Sequence, residues 1–331
     1  MQNRILKFKN AAILSSASVV GKYEYEGPLG EYFDLHDSTD KFGMKTWELA
    51  ESEMQRLAFN TALAKLSVSE QNIDAIFAGD LLNQCVGSSY GLLDFDIPYF
   101  GLYGACSTAI EGIMLAAATV NAGYFNTAAA VTSSHFCASE RQYRSPIEYG
   151  AQRSPTAQWT VTGSGAFMIG NQGKIKIVEG LPGIVVEKGI CDASNMGAAM
   201  APAAADTILR YFEMTRKPPS DFDKIVTGDL GAEGGKILCE ILLSSGIDIR
   251  DKYADCGTLI YDCKKQDKHS GGSGCGCSAV VLASYLCSSL ECGTLKDILV
   301  IGTGAMMSPS SIQQGQAIPA VAHLIRLSSN N

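Results

Sequence analysis

Residues 72–82 read NIDAIFAGDLL, and residues 221–231 read DFDKIVTGDLG. Aligned without gaps, the two segments share an Asp, an Ile and a Gly-Asp-Leu end: Asp74/Asp223, Ile76/Ile225, Gly79/Gly228, Asp80/Asp229 and Leu81/Leu230. Each is a short apolar run closed by a Gly-Asp pair, a pattern that is typical of a buried strand in a parallel sheet. The repeat predicts two central strands in equivalent places of a duplicated α/β fold.

The sequence on either side of each strand repeats as well. Helices are predicted over residues 46–66, before the first strand, and over residues 201–215, before the second. Further along, residues 121–134 match residues 291–304 in pattern, with a helix end, a glycine and then a buried strand that ends in small polar residues. Two such correspondences make a chance match less credible than a duplication.

The helices that precede this second pair of strands begin near Cys106 and within residues 270–281. The chain is therefore predicted to divide into an N-terminal half, residues 1–170, and a C-terminal half, residues 171–331. Each half alternates strands and helices, which defines an α/β protein.

Composition excludes several classes of function. The 331 residues carry a net charge of −8, so we expect no nucleic-acid partner. No apolar run reaches the ~18 residues of a membrane span, and the first residues lack the pattern of a signal peptide. The 11 cysteines lie largely in apolar segments without zinc-ligand spacing, so we expect buried reduced thiols, no bound metal and no cofactor.

One cysteine stands where a nucleophile would be placed. In YGACSTAIEG, residues 103–112, Cys106 lies among small residues at the predicted start of a helix, with Ser107 and Thr108 as candidate caps. Backbone N–H groups at a helix N-terminus favour a thiolate, so this position predicts a lowered pKa for Cys106.

A cysteine at a helix start in the first of two α/β halves resembles the thiolase superfamily, which includes the ketoacyl synthases. TGSGAFMIG (162–170) is similar to the strand that closes the first half in ketoacyl synthases. GTGAMMS (302–308) is similar to their glycine-rich loop near the active site. The resemblance implies a layered α/β/α/β/α core in which Cys106 attacks acyl thioesters with the help of a His and either an Asn or a second His.

Those partners are missing from the matching positions. Asp229, Leu230 and Gly231 stand where the first His would be, and Ser273 stands where the Asn or second His would be. We therefore expect Cys106 to be a vestigial nucleophile. His269, four residues before Ser273, is the one histidine that could restore catalysis by reaching Cys106.

The other histidines receive different expectations. His36 is predicted to be solvated in a polar loop, and His323 to be structural in the final strand. His135 ends the predicted strand AAAVTSSHF (128–136), after Ser133 and Ser134, at the edge where α/β sheets bind ligands. We expect these three residues to lie close to Cys106 and Ser107 in one binding pocket, although a purely structural His135 is the alternative.

The segment after this strand, residues 140–163, carries arginines among aromatic residues: Arg141, Arg144 and Arg153 with Tyr143, Tyr149 and Trp159. Guanidinium groups bind carboxylates through paired hydrogen bonds, and flat rings stack on one another. The segment therefore predicts a site for a planar carboxylate, with Arg144 as the favoured contact. A solvated loop or a dimer contact is an equally acceptable interpretation.

Four motifs together, GLYGACST, VTSSH, EYGAQRSPTAQWTVTG and GDLG, resemble the stage V sporulation protein AD family of endospore-forming Firmicutes. The resemblance covers the whole length. It implies non-catalytic binding of dipicolinate (pyridine-2,6-dicarboxylate), with or without calcium, and support of its uptake into the developing spore. It also implies a homodimer at the cytoplasmic face of the spore inner membrane, with other stage V sporulation membrane proteins as partners.

Two alternatives remain open at the level of sequence. The first is an acyltransferase of the ketoacyl synthase type that uses Cys106 with a displaced His. The second is a scaffold with a vestigial pocket, whose surface docks on a membrane transport complex.

Overall fold

The structure is a computed structural model that describes residues 4–143 and 153–329. Its strands, in chain order, are β1 (Leu6–Lys7), β2 (Ala12–Val20), β3 (Leu35–His36), β4 (Ala75–Gly79), β5 (Tyr99–Leu102), β6 (Thr127–Ser134), β7 (Trp159–Thr160), β8 (Gly163–Gly170), β9 (Ile175–Leu181), β10 (Lys224–Thr227), β11 (Tyr253–Asp255), β12 (Gly272–Ser273), β13 (Asp297–Ala305) and β14 (Ala320–Ser328). The short strands β7 and β12 pair with each other, and the other twelve form one sheet.

Its α-helices, in chain order, are α1 (Lys22–Tyr25), α2 (Trp47–Leu66), α3 (Val86–Gly91), α4 (Thr108–Asn121), α5 (Phe136–Tyr143), α6 (Met196–Thr215), α7 (Gly231–Ser244), α8 (Cys256–Ile260), α9 (Cys275–Val281), α10 (Cys287–Glu291) and α11 (Pro309–Gln313). The two long helices have side-chain caps, since Thr46 Oγ1 accepts from the Leu49 N–H and Asn195 Oδ1 from the Ala198 N–H. Within the described residues, no helix combines the length and the apolarity that a bilayer span requires.

The strand order of the large sheet shows the duplication. The path runs β11-β10-β13-β14-β9-β2-β8-β6-β4-β5, so the order on one side of the β9–β2 junction mirrors the order on the other. In the first half β5, β4 and β6 are parallel, and β8 is antiparallel to β6 and to β2. In the second half β11, β10 and β13 are parallel, and β14 is antiparallel to β13 and to β9. The sheet is therefore built from two sets of five strands with the same internal arrangement.

The helices complete the α/β/α/β/α layering that the resemblance implied. α2 and α3 cover the outer face of the set β2-β8-β6-β4-β5. On the other side of the molecule, α6, with α7 packed beside it, covers the outer face of the set β9-β14-β13-β10-β11. Between the two sets of strands lie α4 and α9, and α4 contacts β4, β6 and β8 on one side and β13 and β14 on the other. The N-termini of these two inner helices therefore meet near the middle of the molecule, where the Cys106 turn packs against both β13 and α9.

The repeated Gly-Asp segments form strands in equivalent places, as predicted. β4 and β10 each lie second from an edge of the sheet, between a short edge strand and a long parallel strand. The strand predicted over residues 162–170 is β8. One expectation is wrong: the first residues of GTGAMMS, 302–305, belong to strand β13 and do not form a loop, because they pair with the buried strand β14.

Candidate functional site

A tight turn places Cys106 between β5 and α4. Ala105 adopts a left-handed backbone (φ 52°), and residues 105–107 form one 3-10 turn before the α-helix begins at Thr108. Ser107 Oγ donates to the Gly104 carbonyl (2.7 Å) and Thr108 Oγ1 to the Ala105 carbonyl (2.7 Å). These hydroxyls therefore fix the turn instead of capping the helix, which differs from the sequence-based expectation. Ser107 itself is fully buried.

Cys106 lines a cavity of about 350 Å³ between the two halves of the chain. Such a volume lies within the range of about 300–1,000 Å³ that is usual for small-molecule sites. Both halves contribute to its wall, and its described polar lining residues are Ser139, Glu140, Tyr143, Arg153, Ser154, Gln158, Thr160, Ser194 and Ser273. The cavity is therefore the candidate binding site.

Asp229 lies against Cys106 and is the carboxyl group of the site. It is 1% exposed, and its Oδ1 accepts from Thr303 Oγ1 (2.7 Å) while its Oδ2 accepts from the Gly274 N–H (2.9 Å). The Cys106 thiol also interacts with this carboxyl group. Burial raises the pKa of Asp229 to about 7, although the thiol, the hydroxyl and the N–H group all favour its ionised form.

The ionisation of Cys106 differs from the expectation. Burial raises its pKa well above the ordinary value, and the neighbouring Asp229 charge raises it further. The Gly274 backbone favours the thiolate but is outweighed. At neutral pH the side chain is therefore a neutral thiol, and the helix N-terminus does not produce the activated nucleophile that the sequence suggested.

The position of the second catalytic partner is also filled differently from that of a condensing enzyme. Ser273 lies in β12 and lines the cavity, and the next residue, Gly274, donates its N–H to Asp229. Cys275 opens α9 beside Cys106 and donates its thiol to the Ser133 carbonyl (3.0 Å). The site thus contains the Asp229 carboxyl group and small residues at the positions where the resemblance would place a His and an Asn or a second His.

His135 does not line the cavity, contrary to the expectation. It is fully buried, its Nε2 faces the Asp40 carbonyl at 2.8 Å, and its Nδ1 accepts from the Cys137 N–H (3.2 Å). Burial lowers the pKa of His135, which agrees with a neutral ring held by two backbone groups. Its observed contacts are those of the structural alternative.

Ser133 and Ser134 are also held by protein groups away from the cavity wall. Ser133 Oγ donates to Glu51 Oε1 (2.9 Å) and accepts from Gln55 Nε2 (2.8 Å). Ser134 Oγ donates to the Val161 carbonyl (2.6 Å). Because α2 and the β7–β8 segment cover the tip of β6, its polar side chains are used within the core. The residues predicted to share one pocket were Cys106, Ser107, Ser133, Ser134 and His135. As far as the structure describes the cavity, Cys106 is the one member of this group that lines it.

His269 faces groups other than Cys106. Its Nδ1 faces the Ser154 carbonyl at 2.7 Å and its Nε2 faces Asp267 Oδ1 at 3.2 Å. Both ring nitrogens are therefore engaged with groups other than Cys106. The remaining two histidines are placed as expected: His36 is exposed, and His323 lies in the final strand β14.

The arginines separate into different environments. Arg144, the favoured ligand contact, lies outside the described residues, and Arg141 is an exposed partner of Glu48 (3.3 Å). Arg153 lines the cavity with only 11% of its side chain exposed. Its Nη2 donates to the Asp267 carbonyl (2.8 Å), whereas its Nη1 is buried and has no hydrogen-bond partner among the described residues. Arg153 is therefore a cation at the cavity wall that the described part of the chain leaves incompletely hydrogen-bonded.

Sequence reasoning missed the role of Asp229 and gave Arg153 no preference over the other arginines. The signal for Asp229 was present, because the Gly-Asp pair ends equivalent strands in both halves and the second Asp falls at the position of a catalytic His. Ser139 was also missed. It lines the cavity, and its buried Oγ has no hydrogen-bond partner in the described part of the chain.

The fold is similar to that of solved condensing enzymes. The 3-oxoacyl-(acyl carrier protein) synthase III FabH from Xanthomonas oryzae superposes with a TM-score of 0.60 at 15% identity, covering 97% of this chain and 100% of that chain. OleA from Xanthomonas campestris gives 0.59 at 16% identity, with 97% and 100% covered. The synthase III from Aquifex aeolicus gives 0.54 at 13% identity, with 97% and 99% covered. The protein therefore has a thiolase-like fold.

The sequence itself matches more narrowly. The model of the stage V sporulation protein AD (SpoVAD) family matches residues 2–328. Stage V sporulation protein AD of Bacillus subtilis (strain 168) is 44% identical over 310 residues, which cover 93% of this chain and 91% of that protein. The chain belongs to the stage V sporulation protein AD family.

Proposed function

We propose that this protein binds dipicolinate in the Cys106 cavity without transforming it, and thereby supports uptake of dipicolinate into the developing spore. One observation carries the proposal: Arg153 places its guanidinium at the cavity wall, and its Nη1 has no hydrogen-bond partner among the residues that the structure describes. A buried donor without a partner is costly, and a carboxylate ligand would satisfy it with a charged hydrogen bond.

The second carboxylate of dipicolinate needs a further donor. Ser139 lines the cavity, its buried Oγ has no hydrogen-bond partner within residues 4–143 and 153–329, and its hydroxyl can donate to an anion. A planar aromatic dianion is thus matched by a guanidinium and a hydroxyl on a wall that also includes Tyr143. These contacts replace those first expected from Ser107, Ser133, Ser134 and His135.

Calorimetry with dipicolinate tests this proposal. We expect Arg153→Gln to weaken binding about 10- to 100-fold, the value of a hydrogen bond to a charged group. Arg141→Gln is the matched control, because Arg141 is exposed and paired with Glu48; its affinity should stay within about twofold of wild type. Absence of binding by the wild-type protein, or equal affinity of Arg153→Gln, would refute the proposal. Titrations with and without calcium show whether the ion accompanies the ligand.

The absence of catalysis is a separate part of the proposal. An acyl-enzyme requires a thiolate, donors for the oxyanion and a proton for the leaving group. Here the thiol is neutral and its neighbour Asp229 is a carboxyl group, which repels an oxyanion unless it is protonated. We expect intact-mass spectrometry to find no adduct after incubation with acyl-coenzyme A thioesters.

An acyltransferase is the second candidate function, because Cys106 lines a cavity in a fold shared with 3-oxoacyl synthases. A stoichiometric acyl adduct that disappears in Cys106→Ser would establish that candidate and contradict the first. Retention of dipicolinate binding in Cys106→Ser, without an adduct in wild type, would favour the binding protein.

We further propose a homodimer that associates through β5. This strand lies at one edge of the sheet, and Tyr99, Phe100 and Tyr103 are exposed along it. An exposed apolar edge strand favours pairing with a second copy. Sedimentation velocity should show a dimer that Phe100→Glu dissociates and that Tyr124→Glu, at a different exposed position, leaves intact. Attachment to the spore inner membrane through other stage V sporulation membrane proteins completes the proposal.

A further inference from the structure

The buried carboxyl group of Asp229 has no cationic partner among the residues that the structure describes. Its carboxyl oxygens accept hydrogen bonds from the Thr303 hydroxyl and from the Gly274 backbone N–H, and the Cys106 thiol is its neighbour. All of these groups are neutral. They stabilise a carboxylate by hydrogen bonds but supply no positive charge.

The groups that face Asp229 from the surrounding elements add no positive charge either. Asp255, at the end of β11, is a second buried carboxyl group, which accepts from the Leu230 and Gly231 N–H groups. The other facing groups are thiols whose pKa values burial raises: Cys106 before α4, Cys256 in α8, and Cys275 and Cys277 in α9. The cation of the described cavity wall, Arg153, is shared with Asp267.

A dianion in this cavity would therefore enter beside an existing negative charge. Arg153 and the helix N-termini offset part of the ligand charge, but the Asp229 carboxylate raises the electrostatic free energy of the complex. In a buried site the repulsion between like charges is screened less than it is in water. Transfer of a proton from solvent to one Oδ of Asp229 removes that repulsion and breaks no other bond.

We propose, on the basis of the proposed function, that binding of the dianionic ligand takes up one proton from solvent and that Asp229 receives it. The geometry supplies the coupling, because Asp229 lies directly behind the cavity-lining Cys106. Asp229 thus makes the affinity for the ligand depend on pH, and it need not touch the ligand to do so.

The sign of the effect follows from linkage. In the free protein burial raises the pKa of Asp229 to about 7, and a bound dianion raises it further. The ligand carboxylates and the arginines do not titrate between pH 6 and pH 8. Affinity should consequently be highest below pH 7 and should fall about tenfold between pH 6 and pH 8.

Calorimetry with dipicolinate in two buffers of different ionisation enthalpy measures proton uptake directly on the wild-type protein. We expect uptake to approach one proton per ligand at pH 8 and to be near zero at pH 6. Uptake near zero at both pH values, with binding retained, would overturn the inference and leave the proposed function intact. Absence of binding heat at every pH would refute the proposed function instead.

Variants assign the proton to its site. Asp229→Asn should bind with an affinity that changes less than twofold between pH 6 and pH 8. Asp80→Asn is the matched control, since Asp80 ends the equivalent strand of the other half and is equally buried; it should keep the tenfold pH dependence. His269→Gln should keep the dependence as well, because His269 faces Asp267 rather than Asp229. Loss of the dependence in His269→Gln, but not in Asp229→Asn, would assign the proton to the histidine and overturn the inference.

Discussion

The free energy of unfolding should depend on pH through Asp229 in the direction opposite to that of a salt-bridged carboxylate. Burial raises the pKa of Asp229 from the ordinary 3.8 to about 7 in the folded protein. Between these two pH values the unfolded chain has lost the proton while the folded protein still holds it. The folded state therefore binds more protons, and stability falls as pH rises from about 4 to about 7 and changes no further above that range.

The size of the effect follows from the same two values. Each pKa unit corresponds to about 1.4 kcal/mol, so the difference between 3.8 and about 7 amounts to about 4 kcal/mol. Since Asp229 is 1% exposed, solvent screening does not reduce this figure appreciably. For a protein whose total stability is of the order of 5–15 kcal/mol, one buried carboxyl group contributes a measurable share.

Chemical denaturation of wild type and Asp229→Asn at several pH values isolates the contribution. The Asn side chain cannot titrate, and its altered hydrogen bonds cost the same at every pH. Glu24, whose pKa burial raises to about 7, contributes equally to both proteins and cancels in the difference. Asp255, whose pKa burial raises to about 6, interacts with the Asp229 charge, so the difference includes the coupling between the two carboxyl groups. The variant should gain about 4 kcal/mol relative to wild type between pH 4 and pH 8. A difference that stays constant over this range would show that Asp229 titrates normally and would refute the reasoning.

Two further predictions concern the Cys106 turn. Native alkylation followed by peptide mass spectrometry should label the exposed Cys191 and Cys292 within minutes and leave Cys106 unmodified, because burial keeps its thiol neutral; labelling of Cys106 as fast as Cys292 would contradict this. Gly304→Ala should lower the free energy of unfolding, measured by chemical denaturation, by about 1–3 kcal/mol, since a Cβ there would lie 2.6 Å from the Gly104 carbonyl oxygen. Gly112→Ala is the control: its Cβ would meet atoms at 3.5 Å or more within a helix, where Ala is favoured over Gly, so no loss is expected.

Local sequence patterns were sufficient to predict the strands and the helices of the core. β4 and β10 are apolar runs that a Gly-Asp pair ends, and each follows a 20-residue helix, α2 or α6. Runs of this kind are visible in the sequence because parallel strands are buried on both faces. The equivalent places of β4 and β10 in the sheet could also be inferred, since their segment repeats within one chain.

The site could not be predicted in the same way, because it joins residues from both halves. Cys106 meets Asp229 only when α4 packs between the two sets of strands. The ionisation of Cys106 depends on magnitudes that a sequence does not give. A helix N-terminus contributes about 0.3–2 kcal/mol in favour of a thiolate, whereas full burial can shift a pKa by several units in the opposite direction.

His135 illustrates a second limit. Its place at the end of a strand was predicted correctly, but strand ends in this fold differ in what covers them. In the first half, α2 lays Glu51 and Gln55 over the end of β6, where they take up Ser133. A polar strand end therefore does not by itself identify a binding site.

The two halves differ in the groups that surround the Asp of the repeated Gly-Asp pair, which is Asp80 in the first half and Asp229 in the second. The Gly-Asp pair lies at the same distance from the start of α2 as from the start of α6, so the two helices can be aligned without gaps. In that alignment Glu51 and Gln55 correspond to Met200 and Ala204. Gln55 bonds to the Gly79 carbonyl and to the Asp80 partner Ser88, whereas an alanine or a methionine can form no such bonds.

Polar side chains from the outer helix thus complete the network of the first carboxyl group from within its own half. The second carboxyl group lacks them and draws its neighbours from the inner layer, from Gly274 at the start of α9 and from Cys106 before α4. Those inner helix N-termini face the cavity, because Ala105, Cys106 and Gly274 line it. Divergence of one helix between two copies of the same unit therefore leaves Asp80 enclosed by polar groups of its own half and Asp229 in contact with Cys106, which lines the cavity.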